Sequence, residues 1–471
     1  MSPPLHLDPE RFFPAEPHTR AIAARLFKVV EDLPIVSPHG HTDPAWFATD
    51  AAFSDAVSLL LWPDHYVLRM LMSAGLSFES LGIAPLGSAP AESDLRLIWR
   101  RFAENYRLFR ATPSRLWLDH VFAEVFGFEI RLDRDSADHY FDSINAALAT
   151  PEFRPRALYE RFNIEVLATT EPALDSLEHH RAIRASSFKG RVISTFRPDD
   201  VIDADRPEFP GNIRRLSELT GEDCRRWQGY LEALRQRRAF FRAHGASATD
   251  HGHPTARTLD LSPSGAEKLF GKIVEGGASS AETELFRAQM LTEMARMSLE
   301  DGMVMQLHAG AWRNHNDSLY QRFGRDRGGD VPMQTNFNEA LKPLLDRFGG
   351  RSDLTLILFT LDESTYSREL APLAGHYPCL KLGPPWWFHD APEAMLRYRR
   401  AVTETAGFYN TCGFNDDTRA FLSIPARHDL ARRLDCTYLA ELVATRRLEE
   451  DEAAELAIDL AYRLAKAAYR L

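Results

Sequence analysis

Cysteine is scarce in this sequence. Four cysteines occur among 471 residues, and no two of them form a Cys-x-x-Cys pair. They are Cys224, Cys379, Cys412 and Cys436. Cysteines spaced this widely argue against a disulfide framework and against a thiolate metal cage. We therefore expect a fold that depends on an apolar core.

Positive charge and long apolar runs are also lacking. The formal net charge is −11, which disfavours nucleic acid or an anionic membrane surface as a partner. Residues 1–10 have neither the basic start nor the apolar run of a signal peptide, and no later run is long enough to span a membrane. Internal repeats are absent too. We expect a cytoplasmic protein that binds a small molecule.

The strand pattern predicts an α/β barrel. From residue 163 onward, short apolar or β-branched runs alternate with helical stretches. Together with an earlier run they give eight predicted strands, at residues 33–36, 164–170, 191–196, 246–250, 303–308, 354–361, 379–383 and 408–414. Eight strand-then-helix units predict a parallel (β/α)8 barrel. A doubly wound open sheet is the alternative.

The region between the first two predicted strands is mainly helical. Apolar residues recur there at helical spacing over more than a hundred residues, with few strand signals. We interpret this region as a large helical insertion after strand one, with surface for the contacts of a homo-oligomer. The chain then divides into an N-terminal helix with strand one (1–50), the helical insertion (51–160) and the remaining barrel with its C-terminal helices (161–471).

Histidines and a carboxylate follow three of the predicted strands, at the end where barrel enzymes place their active sites. The first strand leads into His39-Gly-His41, and residues two apart on a strand point to the same side. His308 ends the fifth strand, and Asp417 follows the eighth. Three ligands with an open position are typical of a catalytic metal site. We predict a divalent metal at His39, His41 and Asp417, with His308 as fourth ligand or neighbour.

Each of these assignments has a rival. Asp416 competes with Asp417, since only one of two adjacent strand residues points inward. The His-x-His pair can also be two solvated histidines in a loop. His308 can be a hydrogen-bonded histidine of the core.

Three arginines also follow predicted strands. Because a guanidinium matches a carboxylate with two hydrogen bonds, Arg197, Arg313 and Arg419 are candidates for binding an anionic substrate. Ion pairs on the barrel rim are the alternative. Trp386, after the seventh strand, offers a flat apolar face to a sugar ring or carbon chain, whereas Trp387 is expected to pack in the core.

Two further segments border the predicted pocket. His65 and Tyr66, in the helical region, form a proton-transfer pair if they lie beside the metal, and core residues otherwise. Residues 312–335 lack periodicity and contain several glycines. Such a stretch is typical of a mobile loop over a pocket.

With these residues gathered, the sequence resembles the uronate isomerase (glucuronate isomerase) family, a divergent branch of the amidohydrolase superfamily. The resemblance covers nearly the whole chain. It rests on the motifs Ser37-Pro-His39-Gly-His41-Thr-Asp43-Pro, Asp64-His65-Tyr66, Thr195-Phe-Arg197-Pro-Asp, Asp250-His251-Gly252, Leu307-His308 with Arg313, Gly383-Pro-Pro-Trp386-Trp387 and Asp417-Thr-Arg419. It implies a distorted (β/α)8 barrel of the metal-dependent hydrolase type and one divalent metal, usually zinc, with Mn²⁺ among the alternatives.

The resemblance also implies a reaction. Members of this family interconvert D-glucuronate with D-fructuronate, and D-galacturonate with D-tagaturonate. The sugar ring must open, and a base must then move a proton from C2 to C1 through an enediol. We expect Asp417 and His308 to open the ring. Tyr66, with its pKa lowered by His65 and nearby positive charge, would move the proton, although the roles of Tyr66 and Asp417 can be exchanged.

The remaining residues would bind the substrate. Arg197 and Arg419 would hold the C6 carboxylate or the developing enediolate, with Arg313 supporting them from the loop. Asp250 would orient a histidine or a substrate hydroxyl.

Two other functions are compatible with these residues. Hydrolytic members of the superfamily typically hold a second metal with a modified lysine after strand four and a histidine after strand six. Here strand four ends in Asp250 and strand six in Asp362, so a binuclear hydrolase is disfavoured. The main alternative is a mononuclear metal-dependent hydrolase or decarboxylase. A catalytically silent sugar-acid-binding protein is disfavoured by the intact metal residues.

Overall fold

A curled parallel sheet lies at the centre of the protein, whose computed structural model describes residues 2–87 and 89–471. The strands are β1 Ile35–Ser37, β2 Ile164–Pro172, β3 Arg191–Arg197, β4 Ala248–His251, β5 Val304–Ala309, β6 Ala311–Trp312, β7 Val331–Pro332, β8 Leu356–Thr360 and β9 Leu380–Leu382. Their order in the main sheet is β1-β2-β3-β4-β5-β8-β9, with every pair parallel, while β6 and β7 form a separate antiparallel pair. In register, Thr170 lies opposite Thr195, and His308 opposite Phe359.

Helices follow nearly every strand and cover the outside of the sheet. They are α1 Pro17–Val30, α2 Pro44–Thr49, α3 Ala56–Leu60, α4 His65–Ser73, α5 Leu95–Asn105, α6 Pro113–His120, α7 Ala137–Leu148, α8 Pro155–Arg161, α9 Glu178–Ala185, α10 Asp199–Ile202, α11 Phe209–Thr220, α12 Trp227–Ala243, α13 Pro263–Val274, α14 Ser280–Asp301, α15 Asp317–Phe323, α16 Phe337–Phe348, α17 Ala371–Ala374, α18 Pro392–Ala406, α19 Ile424–Ala444, α20 Glu450–Ile458 and α21 Leu464–Tyr469. In the described part of the chain, none combines the length and the apolar character needed to cross a membrane.

Seven of the eight predicted barrel strands are confirmed, and the eighth is wrong. Residues 408–414 make only one isolated parallel bridge, between Thr411 and Leu382. The segment begins with a turn, in which the backbone N–H of Thr411 donates to the carbonyl of Phe408 at 3.1 Å. Near its end, Gly413 has a φ of 75° and packs closely against α21, and a left-handed glycine marks a bend or bulge in a strand. An irregular segment therefore takes the eighth position, beside β9.

The core lies on both faces of the sheet. On the outer face, apolar side chains such as Phe196, Leu307 and Leu358 pack against the covering helices. On the inner face, Ala465 of α21 packs against β1, β2 and β3, and Tyr469 contacts the first residues of β4 and β5. Thus α21 fills the inside of the sheet at the amino ends of the strands. The opposite, carboxyl ends are left to form a cavity.

The helices α2 to α8 lie between β1 and β2 in the chain. Their apolar side chains share one cluster with Ile35 of β1 and with Ile164 and Leu167 of β2. This region therefore packs directly on the edge of the sheet. The three-part division of the chain stays a prediction.

Candidate functional site

Two histidines and an aspartate converge where β1 ends. Nε2 of His41 lies 3.1 Å from Oδ1 of Asp417, and Nε2 of His39 lies 3.5 Å from the same oxygen. Ligand atoms of the three residues all fall within 4.8 Å of one another, which is close enough for them to share one ion. The structure therefore brings the three predicted metal ligands together.

The backbone at Asp417 has an uncommon conformation. Its φ is 37°, in the left-handed region that residues other than glycine rarely adopt. The carbonyl of Thr418 accepts a hydrogen bond from the backbone N–H of His41 at 3.0 Å. This bond ties the irregular segment to the end of β1 and helps to hold a strained residue in place.

The rival carboxylate, Asp416, faces a different partner. Its Oδ2 lies 3.0 Å from Nε2 of His428 on α19, and both side chains are buried. Asp416 thus points toward the helix α19, while Asp417 points toward the histidines.

His308 is held by Asp250 from the neighbouring strand. Its Nδ1 lies 2.6 Å from Oδ1 of Asp250, a contact in which the imidazole N–H donates to the carboxylate. The other ring nitrogen, Nε2, is buried and has no hydrogen-bond partner among the described residues, and it lies 3.7 Å from Oδ2 of Asp417. A buried ring nitrogen without a partner is costly, so Nε2 is available to a metal ion or a substrate proton.

The charge states of these groups suit a divalent ion. Burial lowers the pKa of His39 to about 4, so its imidazole is neutral near pH 7. Burial on its own would raise the pKa of Asp417, but His39 and His41 lower it far below its usual range. Neutral imidazoles and ionised carboxylates are the metal-binding forms of both side chains. The donor set therefore fits a metal.

A hydrogen-bond network connects Tyr469 of α21 with His39 through Gln306. Nε2 of Gln306 lies 3.3 Å from Nδ1 of His39. The Tyr469 hydroxyl donates to Oε1 of Gln306 at 2.8 Å and accepts from Nδ2 of Asn415 at 3.0 Å. Residues behind a metal-ligating histidine fix its ring orientation. Neither Gln306 nor Tyr469 was among the residues predicted from the sequence.

Arg197 lies between two carboxylates at the end of β3. Its Nε donates to Oδ2 of Asp199 at 2.8 Å, and its Nη1 lies 3.3 Å from Oδ2 of Asp250. Although burial favours the neutral form, the two aspartates raise the pKa of Arg197 above its ordinary value. A Cβ at Gly252 would collide with the guanidinium. The side chain is thus locked in place, charged and facing the cavity.

Arg313 and Arg419 form ion pairs with aspartates of one loop. Nη1 of Arg313 lies 2.9 Å from Oδ2 of Asp330, and Nη2 of Arg419 lies 3.4 Å from Oδ2 of Asp326. The Arg419 side chain is 40% exposed. Both arginines line the same cavity as Arg197.

The two tryptophans line that cavity as well. The ring of Trp386 packs edge-on against His308, with 4.7 Å between centroids. Trp387 carries the Arg313 guanidinium 5.0 Å from its ring centroid. Trp387 was expected to pack in the core; it is buried, but it also supports a cavity arginine.

His65 and Tyr66 begin α4. The Asp64 carboxylate caps this helix by accepting hydrogen bonds from the backbone N–H groups of Tyr66 and Val67 at 2.9 and 3.3 Å, a typical N-cap arrangement. The cap presents both side chains to the cavity. The two rings stack, with centroids 5.0 Å apart.

The expected lowering of the Tyr66 pKa is wrong. Burial, followed by the charge of Asp390, raises the pKa of Tyr66 well above its ordinary value. His65 cannot oppose this effect, because burial lowers its own pKa to about 3 and leaves it neutral. The Tyr66 hydroxyl donates to Oδ1 of Asp390 at 2.8 Å. Asp390 follows Trp386 by only four residues, but it was not among the residues predicted from the sequence.

The segment from β6 to β7 covers part of the cavity. It was expected to lack regular structure, yet it contains the paired strands β6 and β7 and the helix α15. It touches the helical region, because the Arg322 carbonyl accepts from the Leu86 N–H at 2.6 Å. Gly328 also lies against His65 and Arg69.

One cavity of about 840 Å³ unites these groups. Its lining includes all of the predicted site residues: His39, His41, His65, Tyr66, Arg197, Asp250, His308, Arg313, Trp386, Asp417 and Arg419. Asp390 and Arg427 line it too. Residues from the ends of β1, β3, β4, β5 and β9, and from α4, thus meet around the candidate metal ligands.

Known proteins resemble this chain over its full length. A family model described as glucuronate isomerase matches residues 17–469. The uronate isomerase of Xanthomonas axonopodis pv. citri is 63% identical, over 99% of this chain and 99% of that protein. The uronate isomerase of Phenylobacterium zucineum is 62% identical, over 100% of this chain and 98% of that protein.

Solved structures agree with these matches. The crystal structure of glucuronate isomerase from Caulobacter crescentus has a TM-score of 0.98 and 58% identity, and the match covers 99% of this chain and 97% of that one. A structure from Lactobacillus casei assigned as a metal-dependent hydrolase has a TM-score of 0.52 at 12% identity, over 94% of this chain and 97% of that one. The latter match concerns the fold alone.

Proposed function

The chain belongs to the glucuronate isomerase family, and from this premise we propose which of its residues carry out the reaction. The protein is an isomerase that interconverts D-glucuronate and D-fructuronate. The same residues would serve D-galacturonate and D-tagaturonate. A mononuclear hydrolase or decarboxylase is not favoured, because the full-length relatives are uronate isomerases.

We assign the fold to the distorted (β/α)8 barrel of the metal-dependent hydrolase type. Residues 408–414 would take the place of its eighth strand, and α2 to α8 would form its helical insertion. The proposal rests on the convergence of His39, His41 and Asp417 inside a cavity that is also lined by the predicted carboxylate-binding residues Arg197, Arg313 and Arg419.

One divalent ion would be held by His39, His41 and Asp417, with His308 as fourth ligand or neighbour. Imidazole and carboxylate donors with an open position favour Zn²⁺, and Mn²⁺ is the alternative. When bound, such an ion polarises substrate oxygens as negative charge develops on them.

The arginines would bind the substrate carboxylate. Arg197 is held between Asp199 and Asp250, which leaves its remaining N–H groups to hold the C6 carboxylate or the enediolate. Arg419 is more exposed, and its 3.4 Å ion pair with Asp326 is long enough for a substrate carboxylate to replace it. Arg313, fixed by Asp330 and Trp387, would support that carboxylate from the loop.

Protons would be moved by side chains on two sides of the cavity. Asp417 and His308 would open the sugar ring, because the free Nε2 of His308 and the Asp417 carboxylate face each other. Tyr66 would carry the proton between C2 and C1. The exchanged assignment, with Asp417 acting at C2, is the alternative.

A solvent-exchange experiment tests these roles. Purified protein is incubated with D-glucuronate in D2O, followed by proton NMR, and the metal content of the same sample is measured. We expect fructuronate, deuterium at C1 and about one metal ion per chain. Tyr66→Phe should abolish exchange at C2, whereas Tyr320→Phe, a change in another tyrosine of the cavity lining, should preserve it. Unchanged exchange in Tyr66→Phe would remove Tyr66 from the proton transfer.

A further inference from the structure

The Tyr66 hydroxyl has two fixed hydrogen-bond partners that the roles above leave unused. It donates to Oδ1 of Asp390 at 2.8 Å and accepts from the backbone N–H of Phe388 at 3.1 Å. A phenol held in this way can pass its proton to the carboxylate without moving its oxygen. The partner that receives the proton is therefore defined by the geometry.

Asp390 is itself held by Arg427 of α19. Its second oxygen, Oδ2, lies 2.8 Å from Nη1 of Arg427. The two side chains are only 14% and 6% exposed, respectively. At this distance and with so little exposure to solvent, the ion pair holds the Asp390 carboxylate in a fixed orientation beside the phenol.

Arg427 is fixed from several directions. Its guanidinium carbon lies 3.5 Å from the centroid of the Trp117 ring, and its Nε donates to Oγ of Ser423 at 3.2 Å. Its Nη1 also lies 3.4 Å from the backbone carbonyl of Asp416, the residue before the candidate metal ligand Asp417. One guanidinium thus connects the Tyr66 side of the cavity with the Asp417 side.

We propose that Asp390, held by Arg427, is the positioning residue that takes up and returns the phenol proton of Tyr66 during the C2-to-C1 transfer. This inference rests on the proposed role of Tyr66. As the Tyr66 oxygen takes the proton from C2, its own O–H proton passes to Oδ1 of Asp390, and the negative charge moves to the enediolate. When the oxygen delivers the proton to C1, the hydroxyl proton on the C2 oxygen of the substrate moves to the C1 oxygen, C2 becomes the ketone carbon, and Asp390 returns its proton to the phenol. Both side chains end in their starting states.

The phenol alone is a poor base in this cavity. Burial and the neighbouring Asp390 and Asp64 raise the pKa of Tyr66, and the opposing charge of Arg427 does not cancel them. A free phenolate is therefore rare near pH 7. If the Asp390 carboxylate accepts the phenol proton during the transfer, the reaction does not need a free phenolate.

The test compares Asp390→Asn with the parent enzyme on D-glucuronate protonated or deuterated at C2. Asparagine keeps the size of the side chain but cannot accept the proton as a carboxylate does. We expect kcat to fall by about 100-fold or more, with KM changed by less than about threefold, and a larger isotope effect on kcat. Asp390→Glu should restore part of the lost kcat. Asp317→Asn, a change at an exposed residue of the cavity rim, is the matched control and should alter nothing.

Each outcome decides the proposal. An unchanged kcat or an unchanged isotope effect in folded Asp390→Asn overturns it. If Asp390→Asn does not fold, Arg427→Lys replaces it, with kcat reduced by about tenfold and a raised isotope effect expected, and an unchanged isotope effect again overturns the proposal. Loss of C2 exchange in Tyr66→Phe but not in Asp390→Asn overturns only the role of Asp390. Exchange retained in Tyr66→Phe overturns both roles.

Discussion

Nδ1 of His308 lies 2.6 Å from Oδ1 of Asp250, and the two residues belong to the adjacent strands β5 and β4. The carboxylate thereby fixes the proton of His308 on Nδ1 and leaves Nε2 directed at Asp417. Since Asp250 also contacts Arg197, it connects the candidate metal ligands with the candidate carboxylate-binding group.

Asp250→Asn tests that connection. An amide in this position no longer fixes the proton on Nδ1, so we expect kcat/KM to fall by about 10–100-fold. Steady-state kinetics and metal titration on the same preparation measure the effect, and a thermal melt confirms that the variant is folded. Wild-type kinetics in the folded variant would show that the ring orientation of His308 is unimportant.

The two neighbouring aspartates provide a matched pair for the metal site. Asp417→Asn should lower the bound metal to well under one ion per chain, because a carboxylate ligand is lost. Asp416→Asn should keep the metal and lose only the contact with His428, at a cost of about 1–3 kcal/mol in the free energy of unfolding. Metal analysis after dialysis and denaturant unfolding separate the two effects. Equal metal loss in both variants would contradict the assignment of Asp417.

The loop over the cavity offers a second matched pair. A Cβ at Gly328 would lie 2.8 Å from Cβ of Arg69 and 2.9 Å from the His65 carbonyl, and the residue has a φ of 75°. At Gly329 the nearest atom is 3.4 Å away. Gly328→Ala should therefore displace the loop and lower kcat/KM by about tenfold, whereas Gly329→Ala should have little effect. Equal kinetics in the two variants would show that this contact does not matter.

Glu171, at the end of β2, predicts how stability depends on pH. Burial raises its pKa from an ordinary 4.5 to about 8, so between these values the folded state binds more protons than the unfolded state. Stability contributed by the neutral side chain is therefore lost as pH rises, by roughly 1.4 kcal/mol per pH unit at most.

Glu171→Gln isolates this effect from that of its neighbour. Burial lowers the pKa of the neighbouring His180 from an ordinary 6.5 to about 4. Between these two values the unfolded state binds more protons at His180 than the folded state does, so the contribution of His180 to stability rises with pH. In that range it partly cancels the loss of stability that Glu171 causes. The difference in unfolding free energy between Glu171→Gln and the wild type should grow from pH 5 to pH 8. Urea unfolding at several pH values measures it, and a constant difference would refute the buried neutral carboxyl.

Much of the sheet could be predicted from the sequence, because a strand that is buried on both faces has a nearly continuous run of apolar residues. The Leu356–Thr360 strand is such a run. Residues 408–414 also contain apolar residues, but their conformation depends on α21, which packs against Gly413 from more than fifty residues away in the chain. No local pattern records such a contact.

The candidate ligands could be predicted for a related reason. His39, His41 and His308 immediately follow or end apolar strands, and parallel strand ends meet at one edge. Asp390 and Arg427 could not be predicted in this way, because neither directly follows a strand. Asp390 lies in the segment between β9 and α18, and Arg427 lies within α19. The predicted direction of the Tyr66 pKa shift was wrong because burial and the charge of Asp390 raise this pKa more than Arg427 lowers it, and both causes depend on the assembled fold.

The hydrogen bond from Tyr469 to Gln306 sets an order of events during protein synthesis. His39 leaves the ribosome more than four hundred residues before the phenol that supports it from beneath through Gln306. A nascent chain can therefore contain every candidate metal ligand before Tyr469, which holds Gln306 against His39, has been synthesised. The centre reaches its final form only when translation has passed residue 469.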